Sequence, residues 1–309
     1  MSEKNKIRIG VLRGGIGNHY TLSLKKGGDI ISYILNNFPE QYKVLDILID
    51  KDGSFHLNGL PIKKEDLKNK IDVVWNTSHP DLSRIISNLS IPYVGVNSFA
   101  SVLKDSKEIL KEHMKKNNVN IPKYIVLPLY QKDFDGPIDD YAVKKAKKVL
   151  EKFGAPWIVK SLFAKKNIVT HVAKTFPELV NAISDIVKQD ESVLVEELIN
   201  GKKAVVHSVI GFRNQQNYYF PLISTEKHSF SKDEKIIIKN ISENIFKYLN
   251  NPFYSKYEFI LTSKGEIYVV NIDLYPDLVN DQSLIDSIKE VGTKHDHIFK
   301  HMIDSVLKL

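Results

Sequence analysis

The sequence predicts an α/β chain that opens with a small parallel-sheet domain, and three observations point there. Apolar runs of strand length alternate with segments of helical apolar spacing along most of the chain. The first of these strands enters Gly14-Gly15-Ile16-Gly17 and then a helical pattern, which makes a β-turn-α unit. Composition is that of a globular protein: the 309 residues are 42% hydrophobic and 26% charged, enough for two or three domains with their own cores.

In order, Lys6 to Leu12 reads as a strand and Leu22 to Asn36 as a helix. Lys43 to Ile49 repeats the strand, Asp52-Gly53 turns a hairpin into Ser54 to Leu57, and Ile71 to Trp75 and Pro92 to Gly95 add two more strands. This first domain is expected over 1–102. Ser106 to Asn117 has the spacing of a Lys-rich amphipathic helix, stopped by Asn-Asn and Ile121-Pro122. A second unit, 103–190, continues with a strand at Tyr124 to Leu127, a helix at Tyr141 to Phe153, a strand at Pro156 to Lys160, another at Asn167 to Val172 and a helix at Phe176 to Lys188. The third, 191–309, starts with the strand Ser192 to Glu197. It is β-rich to Ser224, helical from Lys232 to Asn250, and strand-turn-strand from Tyr257 to Asp273 about Ser263-Lys264-Gly265.

Several classes of function fall away. The chain has no cysteine, so disulfides, thiolate metal sites and thiol nucleophiles are excluded. No apolar run reaches the roughly 18 residues of a membrane span, and the start carries no signal-like region, so a soluble cytoplasmic protein is expected. The net charge of +7 comes from lysines spread along the chain without a nucleic-acid fold signature, which argues against nucleic acid as partner.

The last hairpin carries the first chemical hint. Asn271 and Asp273 alternate onto one face of their strand, and a turn at Lys264-Gly265 is expected to bring Glu258 beside them. Two carboxylates and an amide oxygen suit Mg²⁺ shared with phosphates. A hairpin whose polar residues merely face water fits the same spacing.

The order of motifs decides further. From Val102 to Leu309 the sequence resembles the ATP-grasp superfamily, and over the whole chain it is similar to the D-alanine–D-alanine ligases. The resemblance rests on Gly14-Gly15 with Leu22-Ser23-Leu24 and Gly27; on Pro92-Tyr93-Val94-Gly95 with Ala100-Ser101 and Lys107; and on Gly154 to Lys160. It extends through Val193 to Gly201 and the hairpin, followed by Pro276 and Ser283-Leu284.

The resemblance implies an ATP-grasp fold behind a pre-ATP-grasp domain, and ADP-forming joining of a carboxylate to an amine through an acyl phosphate. It implies ATP and Mg²⁺ as cofactors and amino acids or short peptides as substrates, with no nucleic-acid or membrane partner and a homodimer as a possible assembly. By the same resemblance Lys107 and Lys160 hold ATP phosphates, and Glu196, Glu197, Ile199 and Lys203 line the adenine and ribose positions. Glu258, Asn271 and Asp273 hold Mg²⁺. Lys256, Ser23 and His19 belong to the catalytic centre, and Gly14, Gly15, Ser283 and Leu284 to the substrate sites.

Departures from the family pattern are part of the reading. Asn271 and Asp273 stand in reversed order, so the bridging position offers a neutral amide. The glycine-rich phosphate loop is replaced by Ser161 to Asn167, with Lys165 and Lys166 as substitute charges or plain surface lysines. His19 replaces a Glu that meets an ammonium, Lys256 an Arg, and Lys203 a ribose-binding Glu. The loop Asn76 to Asp81 and the segment Ser224 to Ser231 are short. Two functions therefore stand side by side: a ligase with altered substrate, and a non-catalytic nucleotide-binding protein.

Overall fold

The computed structural model describes residues 6–16, 20–77, 81–96, 99–100, 103, 106–162, 170–226, 229–250, 253–274 and 277–308, the side chains of 81 and 84 excepted. The first elements are β1 (Ile7–Gly14), α1 (Tyr20–Asn37), β2 (Tyr42–Ile49), β3 (Phe55–Leu57), β4 (Leu60–Pro61), β5 (Val73–Asn76), α2 (Asp81–Asn88) and β6 (Tyr93–Val94). Next come α3 (Lys107–Lys116), β7 (Tyr124–Leu127), α4 (Ile138–Lys152), β8 (Trp157–Ser161), β9 (His171–Ala173), α5 (Phe176–Val187) and β10 (Val193–Glu197). The last are β11 (Lys202–Ile210), β12 (Asn217–Tyr219), β13 (Ile223–Ser224), α6 (Lys232–Tyr248), β14 (Tyr254–Leu261), β15 (Ile267–Asp273), α7 (Gln282–Glu290) and α8 (His295–Leu307).

Contacts divide the chain into two units, one of residues 1–104, 205–257 and 272–309, the other of 105–204 and 258–271. The first unit contains the whole of the expected 1–102 segment. Its six-stranded sheet has the order β4-β3-β2-β1-β5-β6, with β1 parallel to both β2 and β5. The apolar stripe of α1, Ile30 and Ile34, buries against Ile9, Val11 and Val73 on one face of this sheet. From the C-terminal end, α8 adds Phe299, whose ring stacks on Trp75 with centroids 4.1 Å apart. Leu12, Ile47, Ile49 and Val74 form a separate cluster with Leu67 and Ile86. Gly14 ends β1 with φ +85°, and a Cβ there would lie 2.2 Å from the Ile49 carbonyl oxygen, so only glycine makes this turn.

The second unit holds a four-stranded sheet, β7-β10-β8-β9, antiparallel in every pair. Trp157, Val159, Val193 and Val195 face α4 and α5 and form its core with Tyr141, Val149, Leu179 and Ile183. Helix α5 starts at a capping box between Thr175 and Glu178 with Pro177 in its first turn, as the Thr-Phe-Pro-Glu sequence dictates. A third sheet, β12-β11-β14-β15 with β13 beside β11, contains strands in which the division between the units falls.

Strand β7 occupies the expected residues, and most other expected elements shift by one to three. Part of the strand expected at Asn167 to Val172 lies outside the described residues, where β9 begins at His171. Helices α2, α7 and α8 lie where no element was expected. Among the described residues no helix is long and apolar enough to cross a membrane.

Candidate functional site

In the second unit, antiparallel pairing sets Lys160 opposite Leu194 and Ile158 opposite Glu196. Side chains alternate, so Lys160 and Glu196 share the face away from α4 and α5, one diagonal step apart. Helix α3, capped by Ser106 through Ile109 N–H, presents Lys107 and Lys111 one turn apart. The Glu196 carboxylate is 3% exposed and is gripped on both sides, Lys111 on Oε1 and Lys160 on Oε2. Lys107 donates to the Ser161 carbonyl at 3.1 Å.

These neighbours set the charges. Burial pushes the Lys107 ammonium down to about 8, and repulsion from Lys160 and Lys111 adds to the effect against the pull of Glu196. Burial likewise lowers Lys111, partly offset by Glu196. Burial alone would raise Glu196, yet Lys160 and Lys111 outweigh it and hold the carboxyl below its ordinary range. Lys111 and Lys160 thus share Glu196, Lys107 bonds the Ser161 carbonyl, and buried Glu191 accepts from Ser161 Oγ at 3.0 Å; an anion here would meet three ammonium groups. Lys107, Lys160 and Glu196 lie in one cluster, with Glu196, expected at adenine, ion-paired to Lys160, expected at phosphate. Lys111 was missed; its signal was the four-residue spacing from Lys107.

Beyond Glu196 the chain turns through Leu198 and Ile199 toward β11. Glu197 N–H donates to the Lys123 carbonyl at 2.9 Å and Leu198 N–H to the Pro156 carbonyl at 3.0 Å. Ile199 is buried, whereas Lys203 is exposed. Gly201 packs against the last hairpin, where a Cβ would come 2.1 Å from the Leu261 carbonyl oxygen. On the hairpin's other arm Val269 N–H donates to the Asn120 carbonyl at 2.8 Å, and Asn120 returns a bond to the Ile267 carbonyl at 3.1 Å. Helix α3's trailing loop, the segment after Glu196 and the hairpin are therefore fastened together within this unit.

The hairpin turn itself pairs Thr262 with Glu266 and closes with Gly265 N–H on the Thr262 carbonyl. A strictly regular ladder counted from that pair puts Glu258 opposite Val270, not beside Asn271. The strand does not stay regular in its burial: Ile267 and Val269 are buried, and Asn271, next in the same alternation, is exposed. The donor set of Glu258, Asn271 and Asp273 is chemically right for Mg²⁺, and convergence on one ion requires a break in alternation at this point. Among the described residues no three His, Asp or Glu side chains gather closely enough to hold a metal ion.

In the first unit Ser23 is 3% exposed and its Oγ accepts the Gly14 N–H at 2.9 Å, while Gly15 N–H donates to the Ile49 carbonyl at 2.8 Å. Ser23 thus fixes the glycine turn to α1. His19, Ser101, Lys165, Lys166 and Pro276 lie outside the described residues.

The same unit contains a polar chain in which sequence reasoning named Lys256 and Ser283 and missed His207, Tyr254 and Asp281. His207 is fully buried in β11, with Nδ1 2.9 Å from Tyr254 Oη and Nε2 2.8 Å from Ser283 Oγ. Ser283 Oγ stands 2.5 Å from Asp281 Oδ1, and Lys256 Nζ donates to Asp281 Oδ2 at 2.9 Å. Burial drives His207 down to about 3, so the ring is neutral. Burial tends to raise Asp281, but the Ser283 and Lys256 bonds hold it below the usual range and keep it ionised. An ionised Asp281 needs the Ser283 proton, so Ser283 must accept from His207 Nε2–H, and Nδ1 must accept from Tyr254 O–H. Proton direction is thereby fixed from Tyr254 to His207 to Ser283 to Asp281. The only sequence signal was a histidine inside the apolar run Val205-Val206-His207-Ser208-Val209. Leu284, expected at a substrate site, is fully buried behind Ser283.

The chain matches no family model. It is 23% identical to the D-alanine–D-alanine ligase of Clostridium beijerinckii, covering 98% of this chain and 99% of that one. Among solved structures, D-alanyl-alanine synthetase A from Vibrio cholerae superimposes with a TM-score of 0.76 at 16% identity over 99% of each chain. The Bacillus anthracis D-alanine–D-alanine ligase complexed with ATP gives 0.71 at 20% identity, over 98% of this chain and 97% of that one. The fold is that of these ligases, the ATP-grasp fold with a preceding parallel-sheet domain, as the sequence resemblance implied.

Proposed function

We propose that the protein is an ATP-dependent carboxylate–amine ligase of the D-alanine–D-alanine ligase type. The observation that carries this reading is the cluster of ammonium groups in the second unit, Lys107, Lys111 and Lys160 gathered about the Glu196 carboxylate. A polyphosphate placed there would meet three ammonium groups, and the buried setting makes each contact stronger than it would be in water. Lys107 and Lys160 would take the phosphates, and Lys111 would keep Glu196 ionised when Lys160 turns away from it. Glu196 to Ile199, with Lys203, would hold the nucleoside.

Glu258, Asn271 and Asp273 would hold Mg²⁺, which neutralises charge on the transferred phosphoryl group when bound. In the first unit the turn at Gly14 and Gly15, whose own N–H groups go to Ser23 Oγ and the Ile49 carbonyl, would let a substrate approach the backbone closely. Transfer of the γ-phosphoryl to a substrate carboxylate forms an acyl phosphate, and an amine displaces phosphate from it; no protein nucleophile is called for. Lys256 would stand near the developing oxyanion.

A second reading, a non-catalytic nucleotide-binding protein, is favoured by the commitment of Lys256 to Asp281. Titration calorimetry and ADP release separate the two. Mg²⁺-ATP is expected to bind, Lys160→Ala to weaken binding at least tenfold, and ADP to appear only when an amino acid or short peptide is supplied. Binding without release under any amino acid or short peptide points to the second reading, and unaltered binding by Lys160→Ala removes the phosphate assignment.

A further inference from the structure

A cavity of about 40 Å³ opens within the first unit between α1, β5, β6 and α8, several times the ~10–15 Å³ that one water needs. Folded interiors keep few voids of this size, because walls without facing atoms forfeit their contacts. The cavity lies at the carboxyl ends of β5 and β6, beside β1, where strand order reverses with β2 on one side and β5 on the other. Open parallel sheets take their ligands at such a point.

The walls divide by chemistry. Ile30, Trp75, Val94, Leu274 and Met302 are buried and make the interior apolar. Lys26 and Asp277 are partly exposed, as are Gly95 and Phe253, and mark the mouth. Asp277 is set by its own loop: Oδ1 accepts the Val279 and Asn280 N–H groups at 3.1 and 3.0 Å, and Oδ2 accepts Asn280 Nδ2–H at 3.2 Å. These donors are neutral, and Oδ2 retains a second acceptor site. Lys26 has three N–H donors on one ammonium, so a bond elsewhere does not exhaust it. Thr77 lines the cavity too; its one hydroxyl proton goes to the Leu12 carbonyl at 2.9 Å, which leaves its oxygen able to accept.

We infer that this cavity binds a free amino acid with a short branched aliphatic side chain: carboxylate on Lys26, ammonium on Asp277 and Thr77, side chain among Trp75, Val94 and Met302. An uncharged ligand would leave both charges unused, and a simple acid or amine would leave one. Size decides the side chain. A benzene ring occupies a cavity of about 150 Å³, so the space here suits the two methyl groups by which valine exceeds alanine. Occupancy calls for neither nucleotide nor turnover, so the site stands apart from the ligase reading.

Titration calorimetry of the full chain without nucleotide, with both enantiomers of valine as probes, tests this. The tighter enantiomer is expected to bind at least tenfold more strongly than alanine of the same hand, which two buried methyl groups supply. Isovalerate, which lacks the ammonium, and isobutylamine, which lacks the carboxylate, should each bind at least tenfold more weakly than valine. Lys26→Gln should bring valine down to the level of isobutylamine and leave isobutylamine unchanged. Asp277→Asn should bring valine down to the level of isovalerate and leave isovalerate unchanged. Val94→Ile, which adds a methyl group inside the cavity, should weaken valine and spare alanine. Valine no tighter than alanine overturns the proposal, as does a Lys26→Gln protein that binds valine like the wild type, or a folded Val94→Ile that does so. Lys26 is partly exposed, so Lys26→Gln decides the matter should either other variant fail to fold. Failure of the ligase reading would appear instead as absent ADP release and would leave these affinities as they are.

Discussion

The two buried polar clusters of this protein differ in how their charges balance. In the second unit three lysines gather about Glu196, and Lys107 is driven down to about 8 by burial, with repulsion from Lys160 and Lys111 adding to it. In the first unit Lys256 meets Asp281, and every proton from Tyr254 to Asp281 has a place to go. Like charges held together in a folded protein mark a place suited to an anion, whereas a closed chain marks side chains already spent. The contrast explains why lysines expected at phosphates remain good candidates, while Lys256, expected in the catalytic centre, and Ser283, expected at a substrate site, are held by a neighbour.

The most damaging way to break this contrast is Glu196→Gln. Without its carboxylate the three ammonium groups lose their shared partner, and the protein should lose about 3–5 kcal/mol at neutral pH, the range for breaking a buried ion pair. Urea denaturation measures it, and ATP should restore part of the loss if phosphate replaces the missing charge. A loss under about 1 kcal/mol would mean that the cluster is effectively solvated.

His207 sharpens the other side of the contrast through pH. Its folded pKa near 3 lies below the ordinary 6.5, so the unfolded chain binds the extra proton first as pH falls. Stability contributed by neutral His207 is therefore whole above about 6.5 and declines steadily toward 3, by on the order of 3–4 kcal/mol. Replacing His207 with Gln should flatten the fall in melting temperature between pH 6.5 and 4. Parallel curves for the two proteins would show that the ring is not the titrating group.

Lys107 gives the smallest effect and the opposite sign. Its folded pKa lies below 10.5, so its charge costs stability in full below about pH 8, and the cost fades as pH rises toward 10.5. Lys107→Met should raise the apo protein's stability by about 1–2 kcal/mol at pH 7, with less gain at pH 10, while weakening ATP binding. A variant that loses stability at pH 7 would show that the bond to Ser161 outweighs the buried charge.

Much of this was legible in the residues themselves. Apart from α2, most of the strand and helix order in the first 200 residues follows from apolar spacing, because those elements have one face to bury and declare it by period. Ser106, Thr175-Phe176-Pro177-Glu178 and Gly14 determine their own caps and turn through short-range bonds. Motif order located Lys107, Lys160 and Glu196. What chain order cannot state is which charges meet across strands and helices. Lys111 reaches Glu196 only because α3 lies on the open face of the β8–β10 pair. His207 stands more than seventy residues from Asp281 and Ser283 and joins them only when β11 packs beside the start of α7. Local periodicity set the elements, since it depends on neighbours in sequence. Pairing of buried charge was left to the tertiary fold, since it depends on distances that folding alone creates.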